Sequence, residues 1–200
     1  PWSTPQLYNV TYVGSGLSGT GSTALNLRDN FAGAYYNSIF VDFPGRLIEV
    51  EDVPGTDSTD SRARFEGGTL RLANTVIGRI AGSFVTGKGI SMSGVVANEG
   101  SFGTRIADEL SANNTLISRA PVQALRRSSQ GFLRALDPRP TTKALTVSGG
   151  TEPQDDFFDD VDYVGAFGPD ENWAMSWTYV GNGGREHPGL GLLGEGGDAS

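Results

Sequence analysis

Apolar and polar residues alternate with a period of two in three stretches of the chain: Ala24-Leu25-Asn26-Leu27-Arg28-Asp29, Leu47-Ile48-Glu49-Val50-Glu51-Asp52 and Thr69-Leu70-Arg71-Leu72-Ala73-Asn74. That spacing turns one side of each segment to a core and the other to solvent, the mark of a half-buried strand. A second set is led by asparagine: Tyr8-Asn9-Val10-Thr11-Tyr12-Val13, Tyr36-Asn37-Ser38-Ile39-Phe40-Val41 and Ala73-Asn74-Thr75-Val76-Ile77-Gly78. The asparagines recur at intervals of 28 and then 37 residues. Recurrence on this scale predicts stacked coils, each burying its apolar side on the next. Unequal intervals suit a β-helix, whose turns take insertions without disturbing the strands, and Pro54-Gly55-Thr56-Asp57-Ser58-Thr59-Asp60-Ser61 reads as one such insertion.

The expected fold is therefore all-β, a right-handed parallel β-helix or solenoid. Regular coils are expected over 1–80, irregular coils and a C-terminal aromatic cap over 81–180, and a flexible Gly-rich tail over 181–200. One or two short helices interrupt it. Ile106 to Leu110 is the first, ended by Ser111-Ala112-Asn113-Asn114. Leu125 to Leu136 is the second, weakened by Gly131. Ala144 to Ser148 and Val161 to Phe167 read as late strands. In such a stack Asn9, Asn37 and Asn74 align at a bend and pair their amides along the axis; the plainer reading is that asparagine tolerates turn geometry. Phe167, Trp173, Trp177 and Tyr179 crowd the end as large aromatics that would cover an exposed core and unpaired backbone.

Composition narrows the chemistry. The 29 glycines and 10 prolines in 200 residues favour short strands and frequent reversals over long helices. A formal net charge of −8 argues against nucleic acid, which is bound through a basic surface. Lys88 and Lys143 are the only lysines, against 13 arginines. There is no cysteine, so disulfides and thiolate metal sites are excluded, and no apolar run approaches the roughly 20 residues of a membrane span. The opening Pro1-Trp2-Ser3 has neither an initiator Met nor a signal peptide, which predicts a processed chain or a fragment.

Few residues invite a catalytic reading. Gly14-Ser15-Gly16-Leu17-Ser18-Gly19 matches a dinucleotide-binding fingerprint, but turn and strand follow where that chemistry needs a helix N-terminus. Asp155, Asp156, Asp159, Asp160 and Asp162 surround Phe157 and Phe158; a solvated acidic loop is the default reading, and a structural calcium site, whose preferred ligands are such carboxylates, is the alternative. His187 is the single histidine, which disfavours a Ser-His-Asp relay and zinc. No pair among the 23 acids stands out as a glycosidase dyad. Asn9-Val10-Thr11 and Asn113-Asn114-Thr115 are glycosylation sequons by pattern.

Three segments carry a family resemblance. They are Leu27-Arg28-Asp29-Asn30-Phe31-Ala32-Gly33 running into Tyr36-Asn37-Ser38-Ile39-Phe40, then Leu136-Asp137-Pro138-Arg139-Pro140, and last Val161-Asp162-Tyr163-Val164-Gly165-Ala166-Phe167-Gly168 with Trp173 and Trp177-Thr178. Over Pro5 to Val180 the chain resembles the C-terminal region of large secreted bacterial β-helix proteins, catalogued as hypothetical surface proteins. The resemblance implies a right-handed parallel β-helix and an extracellular or cell-surface location, and brings no catalytic residues. The expected role is a non-enzymatic structural or surface protein, a subunit or fragment of a larger filamentous or envelope-associated assembly. Its expected partners are further copies, by end-to-end stacking or strand addition, or the N-terminal coils such proteins carry. The competing expectation is a carbohydrate-active module, a lyase, hydrolase or glycan-binding unit, with Tyr8, Tyr12, Tyr35 and Tyr36 as the aromatics a sugar would stack on.

Overall fold

The computed structural model describes residues 2–21, 23–53, 55, 59–81, 83–85, 89–144 and 156–175. Short strands dominate the first half: β1 (Gln6–Tyr8), β2 (Thr11–Val13), β3 (Leu25–Leu27), β4 (Ala34–Tyr36), β5 (Ile39–Val41) and β6 (Ile48–Val50). Helix α1 (Ser61–Glu66), β7 (Arg71–Ala73) and β8 (Val76–Gly78) follow, then β9 (Phe84–Val85) and β10 (Gly89–Ile90). A 3-10 turn at Ser93–Val95 leads to α2 (Gly100–Ala112), β11 (Leu116–Ile117) and the pair β12 (Val122–Arg127) and β13 (Leu133–Pro140).

The strands of the first half pair in parallel with others far along the chain. Sheet A has the order β1-β4-β7, sheet B β11-β8-β5-β2, and sheet C β3-β6. Registers run without slips: Leu7 opposite Tyr35 and Tyr35 opposite Leu72 in sheet A, Tyr12 opposite Phe40 and Phe40 opposite Ile77 in sheet B. Sheet C gains one further bridge, Ile48 to Val96.

Burial explains the two strand patterns. β6 alternates, with Ile48 and Val50 buried and Glu49 exposed, because only one face of sheet C is covered. β5 is apolar throughout, Ile39-Phe40-Val41, because both faces of sheet B are covered. Phe40 belongs to the inner core with Leu47, Ile48, Leu72 and Ile77. Ile39 and Val41 face the other way and pack with Val76, Val122, Ala144 and Val164. Burying each such side chain contributes roughly 1.5–3 kcal/mol.

Sharp corners join sheet A to sheet B. Asn9, Asn37 and Asn74 occupy them in the left-handed region, at φ 51, 50 and 50°, and Asn114 does the same between α2 and β11 at φ 57°. Asparagine is one of the few residues that adopts this backbone readily. Beyond the third corner the pattern changes. Helix α2 takes the place of a fourth strand in sheet A, and its residues Phe102, Ile106, Ala107 and Leu110 enter the inner core.

The all-β right-handed parallel β-helix is thereby corrected. The fold is mixed: parallel sheets share it with two antiparallel pairs, β9 with β10 and β12 with β13, and with α1 and the 13-residue α2. The physical reason lies in the second half, where helix and hairpin satisfy their backbones locally and do not continue the parallel order. The expected helix at Leu125–Leu136 is part of that hairpin, with Leu125 directly opposite Leu136. Its leucines meet across strands, and Gly131, at φ 86°, shapes the reversal that the helical spacing conceals. Val161 to Phe167, expected as a strand, is a run of bends, while 145–148 of the other late strand lies outside the described residues. α1 forms where the insertion was expected to end in turn: Asp60 accepts a hydrogen bond from the Ala63 amide as its N-cap. The third alternating segment, around Leu70-Arg71-Leu72, joins sheet A and not sheet C.

Candidate functional site

The two ends of the parallel stack differ. At the far end α2 lies over the inner core. At the near end β1, β2 and β3 are the edge strands of their three sheets among the described residues.

Ladder geometry shows what these edges present. In β1, Pro5 and Asn9 bond to β4 through the Ala34 amide to the Pro5 carbonyl (2.8 Å) and the Asn9 amide to the Tyr36 carbonyl (3.2 Å). A parallel strand uses alternate residues for each side, so Gln6 and Tyr8 point their backbone groups away from β4. By the same rule the Ile39 amide on the Val10 carbonyl (2.8 Å) and the Gly14 amide on the Val41 carbonyl (2.9 Å) leave Thr11 and Val13 turned outward. The Leu25 amide on the Leu47 carbonyl (2.8 Å) and the Glu51 amide on the Leu27 carbonyl (2.9 Å) do so for Asn26.

Side chains at this end are half-buried. Tyr12 stacks on Phe40 with centroids 4.7 Å apart, and Tyr8 on Tyr36 at 4.9 Å. Burial holds the Tyr12 and Tyr35 phenols above their ordinary value; desolvation dominates, with the neighbouring Tyr12 adding to it for Tyr35. The Tyr8 phenol is raised for the same reason, and by Tyr36 beside it.

The three predicted corner asparagines fall at equivalent positions. Asn37 Nδ2 donates to Asn9 Oδ1 at 3.4 Å, and Asn9 Nδ2 donates to the Tyr163 carbonyl at 2.8 Å. Asn74 is joined instead by Asn114, whose Nδ2 donates to its Oδ1 at 3.0 Å. Asn114 escaped sequence reasoning because it follows a helix and not a strand; the signal was Asn114-Thr115 preceding Leu116-Ile117, as Asn74-Thr75 precedes Val76-Ile77.

Of the predicted acidic group, Asp156, Asp159, Asp160 and Asp162 are exposed, and Asp155 lies outside the described residues. Among the described residues no three acidic or histidine side chains converge on a metal-sized site. Phe157 and Phe158, between those aspartates, are 85% and 47% exposed. Phe167 and Trp173 stack at 4.7 Å, and Trp173 Nε1 donates to the Ala166 carbonyl. Their segment crosses the outer face of sheet B, with the Gly165 amide on the Asn37 carbonyl at 2.7 Å and the Ala166 amide on Thr11 Oγ1 at 3.0 Å. Gly165 is required there, since a Cβ would sit 2.6 Å from Thr11 Oγ1 and its φ is 83°. Trp177, Tyr179 and His187 lie outside the described residues. No described helix is long and apolar enough to cross a membrane.

One buried polar cluster went unnoticed in the sequence. Asp42, fully buried at the opposite corner of sheet B, receives Arg79 Nε at 3.1 Å on one oxygen and Arg127 Nε on the other. Arg127 also donates to the carbonyls of Gly14 (2.6 Å) and Gly131 (2.9 Å), tying the hairpin to the end of β2. The Gly14–Gly19 stretch is thus a turn around a buried ion pair, and strand β3 follows it where a dinucleotide site would need a helix. A second polar surface, a groove of about 290 Å³ along the solvent face of sheet C, is lined by Asn26, Arg28, Glu49, Glu51 and Asn98. Compared with family models, curated proteins and solved structures, the chain matches none.

Proposed function

We propose that this chain is a non-enzymatic structural protein of an extracellular or bacterial surface assembly, whose near end accepts a further parallel layer from a second copy. The observation that carries this reading is the coincidence of three edge strands, β1, β2 and β3, at one end of the stack. Exposed edges are templates for strand addition, and three together make the end a single docking plane. A contact of that kind joins unlike surfaces and yields rings or filaments. Electron microscopy and sedimentation of the full chain test it. Oligomers or fibres are expected, and Gln6→Pro with Asn26→Pro should suppress them, because both prolines remove outward-pointing N–H groups and leave the existing ladders intact. A stable monomer at high concentration with no fibres would overturn the reading.

Glycan binding is the second reading, favoured by the stacked Tyr8–Tyr36 pair on sheet A and the carboxylate-lined groove on sheet C. A glycan array probed with and without calcium tests it, and uniform silence would sink it.

A further inference from the structure

Helix α2 stands where sheet A would carry a fourth strand, and a cavity of about 250 Å³ remains between the helix, β7 and α1. Part of its wall is apolar: Ile48, Leu70, Leu72 and Leu110, all buried, with the half-buried Phe65. Exposed charged residues complete it, Glu66 of α1, Arg71 of β7, and Arg105 and Glu109 of α2. An apolar cavity of roughly 150 Å³ holds benzene, so this one has room for about ten non-hydrogen atoms.

Backbone groups also reach this side of β7. The Arg71 amide donates to the Gly33 carbonyl and the Asn37 amide to the Ala73 carbonyl, both at 3.2 Å, so Arg71 and Ala73 are bonded to β4. The alternation of a parallel strand turns the Leu72 N–H and C=O the other way, to the side on which α2 lies. The neighbouring amides of Leu70 and Asn74 are taken by the carbonyls of Arg64 (3.1 Å) and Asn113 (2.9 Å). Leu72, between them, lines the cavity.

The charges are balanced and only partly engaged. Arg105 Nη1 donates to Glu66 Oε1 at 3.0 Å, and Arg62 Nε reaches the same oxygen at 3.1 Å. Arg71 Nη2 donates to Asn113 Oδ1 at 3.1 Å, and Asn113 Nδ2 to Glu109 Oε2 at 3.2 Å. A guanidinium carries five N–H groups, so Arg71 and Arg105 keep donors for a ligand carboxylate, while Glu109 keeps an oxygen for a ligand ammonium. Two cations and two anions around an apolar wall suit a molecule that carries both charges on a hydrocarbon body.

We propose that this cavity binds a free aliphatic amino acid of about leucine's size. Its side chain lies on Leu70, Leu72 and Leu110, its carboxylate meets Arg71 and Arg105, and its ammonium meets Glu109 and the Leu72 carbonyl. A peptide terminus carries only one of the two charges, so the free amino acid is the ligand that satisfies the site. The cavity lies at the far end of the stack, so binding does not depend on the assembly proposed above.

Equilibrium dialysis of the full chain against leucine, 4-methylpentanoate, isopentylamine and glycine tests it, with circular dichroism to verify folding of each variant. Leucine should bind about tenfold more tightly than either single-charge analogue, the effect of one charge-assisted hydrogen bond. Glycine, which has no hydrocarbon body, should not be retained. Glu109→Gln should weaken leucine about tenfold and leave 4-methylpentanoate unweakened, a selective change that a folding defect would not produce. Arg71→Gln should weaken both and spare isopentylamine. If leucine is not retained, or 4-methylpentanoate binds as tightly as leucine, the proposal is overturned. Retention of leucine unchanged by both substitutions would overturn it too, by placing the bound molecule elsewhere.

Discussion

The two ends of the parallel stack solve one problem in different ways. Every parallel sheet has an outermost strand whose outward backbone groups need partners. At the far end α2 lies across the core, while β7 and β11 are the outermost strands of sheets A and B there among the described residues. The helix brings Phe102, Ile106 and Leu110 inward and ends at Asn113, whose carbonyl accepts the Asn74 amide at 2.9 Å. At the near end strands face outward, and half-buried tyrosines lie over the core. A helix covers the core at one end and half-buried tyrosines cover it at the other, so the two ends present unlike surfaces.

The largest expected effect lies at the far end. Ile106 is fully buried, and Ile106→Ala should cost about 2–5 kcal/mol in urea unfolding through lost burial and a residual cavity. Leu7, the edge residue of sheet A that faces Tyr35, is only half-buried, and Leu7→Ala should cost roughly 1 kcal/mol. Equal losses would mean that α2 does not seal the core and would abolish the contrast.

That contrast was only half legible in the sequence. Leu25-Asn26-Leu27 and Ile48-Glu49-Val50 declared their strands because one face meets water. Asn9, Asn37 and Asn74 marked corners because few residues adopt a left-handed backbone. The sealing of the far end was obscured: Ile106 to Leu110 signalled a short helix, but nothing local showed that it would replace a strand of sheet A. Arg127 and Asp42 are 85 residues apart in sequence, and neither position announces a buried ion pair. Leu125 and Leu136 misled because a hairpin can place leucines at helical intervals by chance. The all-β reading failed at those points, where the chain settles its hydrogen bonds locally.

Next in size is the anchor that holds the hairpin to the near end. Arg127→Met should destabilise the chain by about 3 kcal/mol, since it removes one of two cations from a buried carboxylate and leaves the Gly14 and Gly131 carbonyls without their donor. Arg79, still beside Asp42, keeps the loss from being larger. Asp42→Asn in the same background should recover part of it, because the uncompensated charge is gone. A double-mutant cycle in urea measures the coupling, and additive losses would show that the pair contributes nothing.

A smaller effect belongs to the corners that join both ends. Asn74→Ala should cost about 1–2 kcal/mol, the penalty for an alanine in the left-handed region. Asn74→Gly relieves that strain and should lose less, chiefly the hydrogen bond from Asn114. Thermal unfolding of the two variants separates backbone from side chain: similar melting temperatures would mean the asparagine is there for its amide and not for its φ.

The subtlest test uses pH and reads the near end alone. Burial raises the Tyr12 and Tyr35 phenols above the ordinary 10.0 in the folded chain, so the folded state holds those protons more tightly than the unfolded state. Their contribution is fully present below about pH 10 and is lost as pH climbs from the unfolded value through the raised folded ones. Urea midpoints between pH 8 and 11 should therefore hold steady and then fall, and Tyr12→Phe with Tyr35→Phe should flatten that fall, since phenylalanine has no proton to lose. Because Tyr12 lies in the edge strand β2, a layer added on top of it would desolvate it further. Under conditions where the chain assembles, the alkaline fall should still begin near the unfolded value but run to higher pH and become deeper, and a titration indifferent to assembly would place the added layer somewhere other than this end.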